Sequence, residues 1–116
     1  MYIQGNKDRL LQVLVNLISN AIKFVPPNKG KIKIALLEKN DQALIKVKDN
    51  GIGISEKDQI TIFDRFTQIS NAKLGKPQGS GLGLFISKKI IEQHRGTITI
   101  KSKEGKGTTF TIKLPI

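Results

Sequence analysis

The chain has 116 residues, 38% hydrophobic and 25% charged, with a net charge of +11 carried mostly by Lys. Its length fits a single domain with its own core, while the absence of Cys excludes disulfides and thiolate metal sites and fits a reducing compartment. No apolar run approaches the roughly 20 residues of a membrane span, no signal peptide opens the chain, and the charge excess admits an anionic partner or a solvated lysine surface.

Asn6 and Asp8 are N-cap candidates for a helix running to about Lys23 or Phe24. On it Gln12, Asn16 and Asn20 recur every four residues, so they stack as one polar stripe, with Lys23 close to the same face. Nearly everything beside the stripe is apolar: Leu10, Leu11, Val13, Leu14, Val15, Leu17, Ile18, Ala21 and Ile22. Such a helix is expected inside a core. Carboxamides there need partners, at about 1–3 kcal/mol for each group left without one, and a ligand or metal would be such a partner.

Pro26-Pro27-Asn28-Lys29-Gly30 ends the helix. Residues 31–36 alternate as a half-buried strand does, Lys39-Asn40-Asp41 reads as a hairpin turn, and Ala43–Asp49 is a second strand. Ser55 caps a short helix reaching about Ile62. The stretch from about Thr67 to Gly79 is polar, dotted with Gly and Pro, and lacks periodicity, as functional or disordered loops do. Ser80 to about His94 forms a helix with Leu82, Leu84, Phe85, Ile86, Ile90 and Ile91 facing inward. Strands over Thr97–Lys101 and Thr108–Leu114, joined by Gly105-Lys106-Gly107, close the chain. Helices and hairpins segregate, so the class is α+β: one mixed or antiparallel sheet with helices on one face.

Two glycine clusters follow one another. Asp49-Asn50-Gly51-Ile52-Gly53 follows a strand; it serves equally as a plain turn or as a place where glycines let backbone pass close to another group or adopt positive φ. An aspartate there can accept from an exocyclic amine. Gly79-Ser80-Gly81-Leu82-Gly83-Leu84 opens a helix, where free amides and the dipole suit phosphate, although helix capping alone would explain it. It matches neither the dinucleotide fingerprint nor the Walker A loop. Between them lies Phe63-Asp64-Arg65-Phe66: the two Phe anchor the near end of the loop, and Arg65 is a candidate phosphate ligand or a surface residue. His94, the single histidine, is read as a structural cap near a helix end.

The order of these boxes resembles the ATP-binding catalytic domain of sensor histidine kinases, in the GHKL superfamily. The carriers are Asn16-x-x-x-Asn20-Ala21-x-Lys23-Phe24, Asp49-x-Gly51-x-Gly53, Phe63-x-x-Phe66 and Gly81-Leu82-Gly83-Leu84. The likeness covers essentially the whole chain, 1–116, as one domain. It implies the Bergerat fold, a two-layer α/β sandwich with a mixed, mostly antiparallel sheet of about five strands and about three helices on one face. It further implies ATP and Mg²⁺ as cofactors. Asn16 would place its oxygen on Mg²⁺, Asn20 would meet phosphate or metal-bound water, and Lys23 would neutralise phosphate charge. Phe24 would line the adenine pocket, and Asp49 would accept the adenine amino hydrogen. Gly51 and Gly53 would let base and ribose lie against their loop, and Thr109 would water-bridge the base to Asp49. Arg65 would approach the γ-phosphate, residues 67–80 would form the ATP lid between Phe63, Phe66 and the last helix, and Gly79, Gly81, Leu82 and Gly83 would hold phosphates.

Gln12 stands where hydrolytic members of the superfamily carry a basic Glu, and a carboxamide cannot activate water usefully. The resemblance therefore implies transfer to an external acceptor: a histidine on a separate dimerisation domain, with a response regulator downstream. It implies a monomeric, cytoplasmic domain with neither nucleic acid nor membrane as partner. The alternatives are a free-standing anti-sigma-factor-type serine kinase, against which Gln12 argues, and a basic nucleic-acid-binding module, which leaves the Asn stripe and glycine boxes unexplained.

Overall fold

The computed structural model describes residues 2–26, 28–65 and 82–116. The elements are α1 (Lys7–Phe24), β1 (Ile32–Lys39), β2 (Gln42–Asp49), α2 (Glu56–Thr61), α3 (Gly83–Gln93), β3 (Thr97–Lys103) and β4 (Gly107–Pro115). The strands form one antiparallel sheet in the order β1-β2-β4-β3. The α+β class holds; among the described residues the sheet has four strands rather than about five, and none is parallel.

Local chemistry explains the boundaries. The Asn6 side chain accepts from the Arg9 amide at 3.1 Å and starts α1. Asn40 and Asp41 both take left-handed backbone, φ 54° and 60°, as a two-residue hairpin turn between Lys39 and Gln42 demands. Ser55 caps α2 by accepting from the Asp58 amide at 3.1 Å.

Alternation along the strands divides the sheet into a covered and an open face. Ala43, Val47 and Asp49 of β2 and Thr108, Phe110, Ile112 and Leu114 of β4 are buried on the helix side. Val13, Leu17 and Ala21 of α1 and Ile90 and Ile91 of α3 meet them in the core. The register puts Lys33, Lys48, Thr109 and Lys101 in one row across the opposite face, with Lys46 and Lys113 on the same side. Much of the positive charge thus occupies an open sheet face.

Two expectations are corrected. The first helix is not immersed in the core: Val13, Leu17 and Ala21 form its buried stripe, while Leu11, Val15 and Ile22 are exposed. A two-layer fold covers one side of a helix only. Residues 31–36 are likewise not half-buried in strict alternation; β1 is the sheet edge, and Ile34 and Leu36 on it are exposed.

Candidate functional site

The C-terminal half of α1 runs between two of the features singled out from the sequence. At Asn16 it meets the start of α3, where the Asn16 Nδ2 group donates to the Gly83 carbonyl at 3.3 Å and to Ser87 Oγ at 3.2 Å. At Phe24 it meets the first glycine loop, whose Ile52 amide donates to the Phe24 carbonyl at 3.1 Å. At 1.5 Å rise per residue the two junctions are about 12 Å apart along the helix. Asn20 lies between them, half-buried, with Lys23 exposed near the second.

Asp49 ends β2 on the covered face and is only 4% exposed. Its Oδ1 accepts from the Gly51 amide at 2.8 Å. Burial pushes the carboxyl above its ordinary value of 3.8; the amides of Gly51 and Thr108 oppose that shift without cancelling it. A buried carboxylate held by backbone amides, at the mouth of a glycine loop, is the kind of perturbed acid found at functional sites. It can accept a further donor, such as an amino group of a ligand.

Gly51 and Gly53 have a structural reason for lacking side chains. A Cβ on Gly51 would stand 2.4 Å from the Phe24 carbonyl oxygen, and one on Gly53 would stand 2.1 Å from that of Lys103. Gly53 also has φ 73°. Both glycines therefore admit neighbouring main chain, in line with the reading that they let backbone pass close or adopt positive φ. They fix the loop carrying Asp49 against α1 on one side and the β3–β4 turn on the other.

Thr109 does not join the site. It pairs with Lys48, one residue out of phase with Asp49, so it points to the open face. Thr108 stands opposite Asp49 on the covered face, buried, with its hydroxyl 2.7 Å from Ser102 Oγ. Strand parity was the available signal: Phe110, Ile112 and Leu114 are the apolar phase of β4, and Thr108 shares it.

At the other end, Leu82 is the N-cap of α3 and makes no side-chain cap bond, and Gly83 begins the helix. Helix N-terminal amides and dipole suit an anion. Arg65 is exposed, with its guanidinium 4.8 Å from the Phe85 ring centre on the first turn of α3. Phe63 packs edge-on against Phe110 at 6.2 Å and anchors the segment after α2. Phe66, Gly79 and Gly81, like the stretch at 67–80, lie outside the described residues. Ser87 was missed in the sequence: among the described residues it is the most buried polar one, at 0% exposed, yet it sits at no motif position.

The stripe is thus not sealed in apolar surroundings. Gln12 is exposed and Asn16 and Asn20 are half-buried. The Asn16 amide group finds partners on α3, while among the described residues its Oδ1 accepts no hydrogen bond. The free group is an oxygen, the donor type a hard cation prefers.

A family model described as histidine kinase-, DNA gyrase B- and HSP90-like ATPase matches residues 5–116. The chain belongs to this ATPase family. It is similar to the sensor protein SrrB of Staphylococcus aureus, 47% identical over 108 residues that cover 93% of this chain and 18% of that protein. The chain therefore spans under a fifth of the length of the curated relatives it matches. Among solved structures it is similar to the mycobacterial sensor histidine kinase MprB, with TM-score 0.85, 29% identity, and 97% and 76% of the two chains covered. The catalytic domain of the histidine kinase ThkA follows, with TM-score 0.81, 36% identity, and 97% and 70% covered. Full-length ShkA, solved with AMPPNP, superposes with TM-score 0.77 at 26% identity, over 92% of this chain and 21% of that one. These relatives place the ATPase fold in the setting of sensor histidine kinases.

Proposed function

We propose that residues 1–116 form the Mg-ATP-binding catalytic domain of a two-component sensor histidine kinase, which delivers the γ-phosphoryl group to a histidine on a separate dimerisation domain. The observation that carries this reading is Asp49: a buried carboxylate, loaded with amide donors yet still biased against ionisation, at one end of the α1 groove. It would accept the adenine amino group. The base would lie near Phe24 and Thr108, and the phosphates would run toward Asn16 and the start of α3.

Divalent magnesium keeps most of its waters and takes few protein ligands. The donor set fits that habit: among the described residues the carboxamide oxygens of Asn16 and Asn20 accept from no donor and can supply one or two such ligands. Bound there, Mg²⁺ would neutralise phosphate charge. Asn20, Lys23 and Arg65 would add polar and positive contacts, and Gly79, Gly81, Leu82 and Gly83 would offer backbone amides. Phosphoryl transfer asks mainly for such positioning and charge. A neutral imidazole is itself the nucleophile, so the exposed carboxamide of Gln12, which cannot serve as a base, is no handicap. Residues 67–80 would close over the triphosphate. A response regulator would receive the phosphoryl group afterwards, on the cytoplasmic side of the parent kinase.

The test supplies γ-labelled ATP and a histidine-bearing helical hairpin from a relative. Acid-labile label on the hairpin is expected. Acid-stable label, or phosphate release that ignores the acceptor, would contradict the proposal.

A further inference from the structure

Ser102 lies on β3, and three polar groups converge on its hydroxyl. Its Oγ accepts from the Ile54 amide at 2.8 Å. The Gly107 carbonyl oxygen lies 3.0 Å away and the Thr108 hydroxyl 2.7 Å away. Two oxygen–oxygen contacts this short need a proton each. Only two protons are at hand, one on each hydroxyl, and the carbonyl has none to give. The Ser102 proton therefore goes to Gly107, and the Thr108 proton goes to Ser102. The reverse assignment would leave two bare oxygens facing each other at 3.0 Å. With its proton spent, Thr108 has only lone pairs to offer a ligand. It stands opposite Asp49 on the covered face, and its amide is one of the two that hold the Asp49 carboxylate. This crossing of the sheet thus presents two acceptors side by side, a carboxylate and a hydroxyl oxygen.

We infer that Ser102 is a positioning residue for purine selection: it fixes the Thr108 hydroxyl as an acceptor, so that the surface beside Asp49 takes a 6-amino purine and rejects a 6-oxo purine. An exocyclic amine carries two hydrogens, one for the carboxylate and one for the Thr108 oxygen, made directly or through a water. A 6-oxo group turns lone pairs toward both, and buried polar groups left without partners make such rejection strong. Without the Ser102 hydroxyl, the Thr108 proton is released and can turn toward an oxo group. Ser102 touches no nucleotide and acts only through Thr108. The selection rests on the proposed contact between Asp49 and the adenine amino group.

The experiment titrates the chain by calorimetry with Mg-ATP and with Mg-ITP, whose base carries a 6-oxo group in place of the 6-amino group. The variants are Ser102→Ala, Ser102→Thr, Thr108→Val, the double variant Ser102→Ala with Thr108→Val, and Asp49→Asn. Losing the Ser102 hydroxyl also strips the Ile54 amide of its acceptor, a defect that weakens both nucleotides alike, so the ATP-to-ITP affinity ratio is the readout. Ser102→Ala should lower that ratio about threefold to tenfold, the size of one hydrogen bond. Ser102→Thr, which keeps the hydroxyl, should hold the wild-type ratio. In the Thr108→Val background, Ser102→Ala should change the ratio no further, because the group it acts through is gone. A wild-type ratio in Ser102→Ala, alongside lost ATP affinity in Asp49→Asn, would overturn the role of Ser102 and leave the adenine contact standing. A fall in the ratio that persists without the Thr108 hydroxyl would overturn it too. Unchanged ATP affinity in Asp49→Asn would overturn the adenine contact itself, and the role of Ser102 with it.

Discussion

Asp49 and Thr108 stand directly opposite each other across β2 and β4, on the face of the sheet that the helices cover. Ser102 continues the row on β3, its Oγ accepting from the Ile54 amide at 2.8 Å and lying 2.7 Å from the Thr108 hydroxyl. One acid and two hydroxyls therefore line a single crossing of the sheet, and the glycine loop folds back onto them through Ile54. A ligand that reaches Asp49 lies beside Thr108 as well.

Replacing Asp49 separates binding from stability. Burial raises the folded-state pKa of the carboxyl above its ordinary value of 3.8. A raised folded value means that the favourable contribution is complete below the unfolded pKa and is lost as pH rises through the folded one. At neutral pH the ionised form thus weighs against folding. Asp49→Asn should match or exceed the wild type in thermal melting at pH 7, and that advantage should shrink as pH falls toward 4. The same variant should lose ATP affinity by roughly 10-fold to 100-fold, the worth of a hydrogen bond to a charged group. Parallel melts and calorimetric titrations check both halves.

Thr108→Val and Thr109→Val form a matched pair on opposite faces of one strand. The first removes the contact to Ser102 and should cost about 1 kcal/mol in urea unfolding, with a weaker adenine-nucleotide affinity. The second changes the open face and should leave ATP affinity as it is. A reversed outcome would restore Thr109 to the site.

Gly53→Ala strains a residue at φ 73° and drives its Cβ into the Lys103 carbonyl. A loss of about 1–3 kcal/mol in denaturant midpoint analysis is expected. Because the defect is chain against chain, saturating ATP should still bind whatever fraction remains folded.

His94 tests a structural role. Its Nε2 accepts from the Asn6 amide at 2.9 Å, and Nδ1 lies 2.8 Å from the Ile90 carbonyl, which fixes the neutral tautomer with the proton on Nδ1. The ring ties the start of α1 to the end of α3, and a Cβ on Gly5 would stand 2.6 Å from its carbon. His94→Ala should lower stability by about 1–2 kcal/mol, comparable to losing a cap, with nucleotide affinity unchanged. Equal stability by urea titration would remove that role.

The fold was legible wherever local chemistry decides it. Asn6, Ser55 and the Asn40–Asp41 turn end elements by their own side chains or backbone preferences, and the order of helices and hairpins followed from them. Burial was less legible, because composition cannot tell which side of a helix receives a partner. Leu11, Val15 and Ile22 look like core residues and face outward. In the candidate site, Asp49 and Asn16 were marked by type and spacing. Ser87 and Thr108 were not, since what distinguishes them is a neighbour 71 or 6 residues away and a strand phase. The glycines were legible as places of close backbone approach or positive φ, and what approaches them is the Phe24 and Lys103 main chain.

The most direct measurement is the melting temperature of the domain with Mg-ATP and with Mg-GTP at one and the same concentration, about 100 times the wild-type dissociation constant for ATP, for the wild type and Asp49→Asn. Selective binding at 100 times the dissociation constant adds about 2.7 kcal/mol. The wild type should melt several degrees higher with ATP than without it, GTP should give little shift, and Asp49→Asn should lose the ATP shift. Equal shifts with both nucleotides, or none with ATP, would contradict Asp49 as the reader of an adenine base.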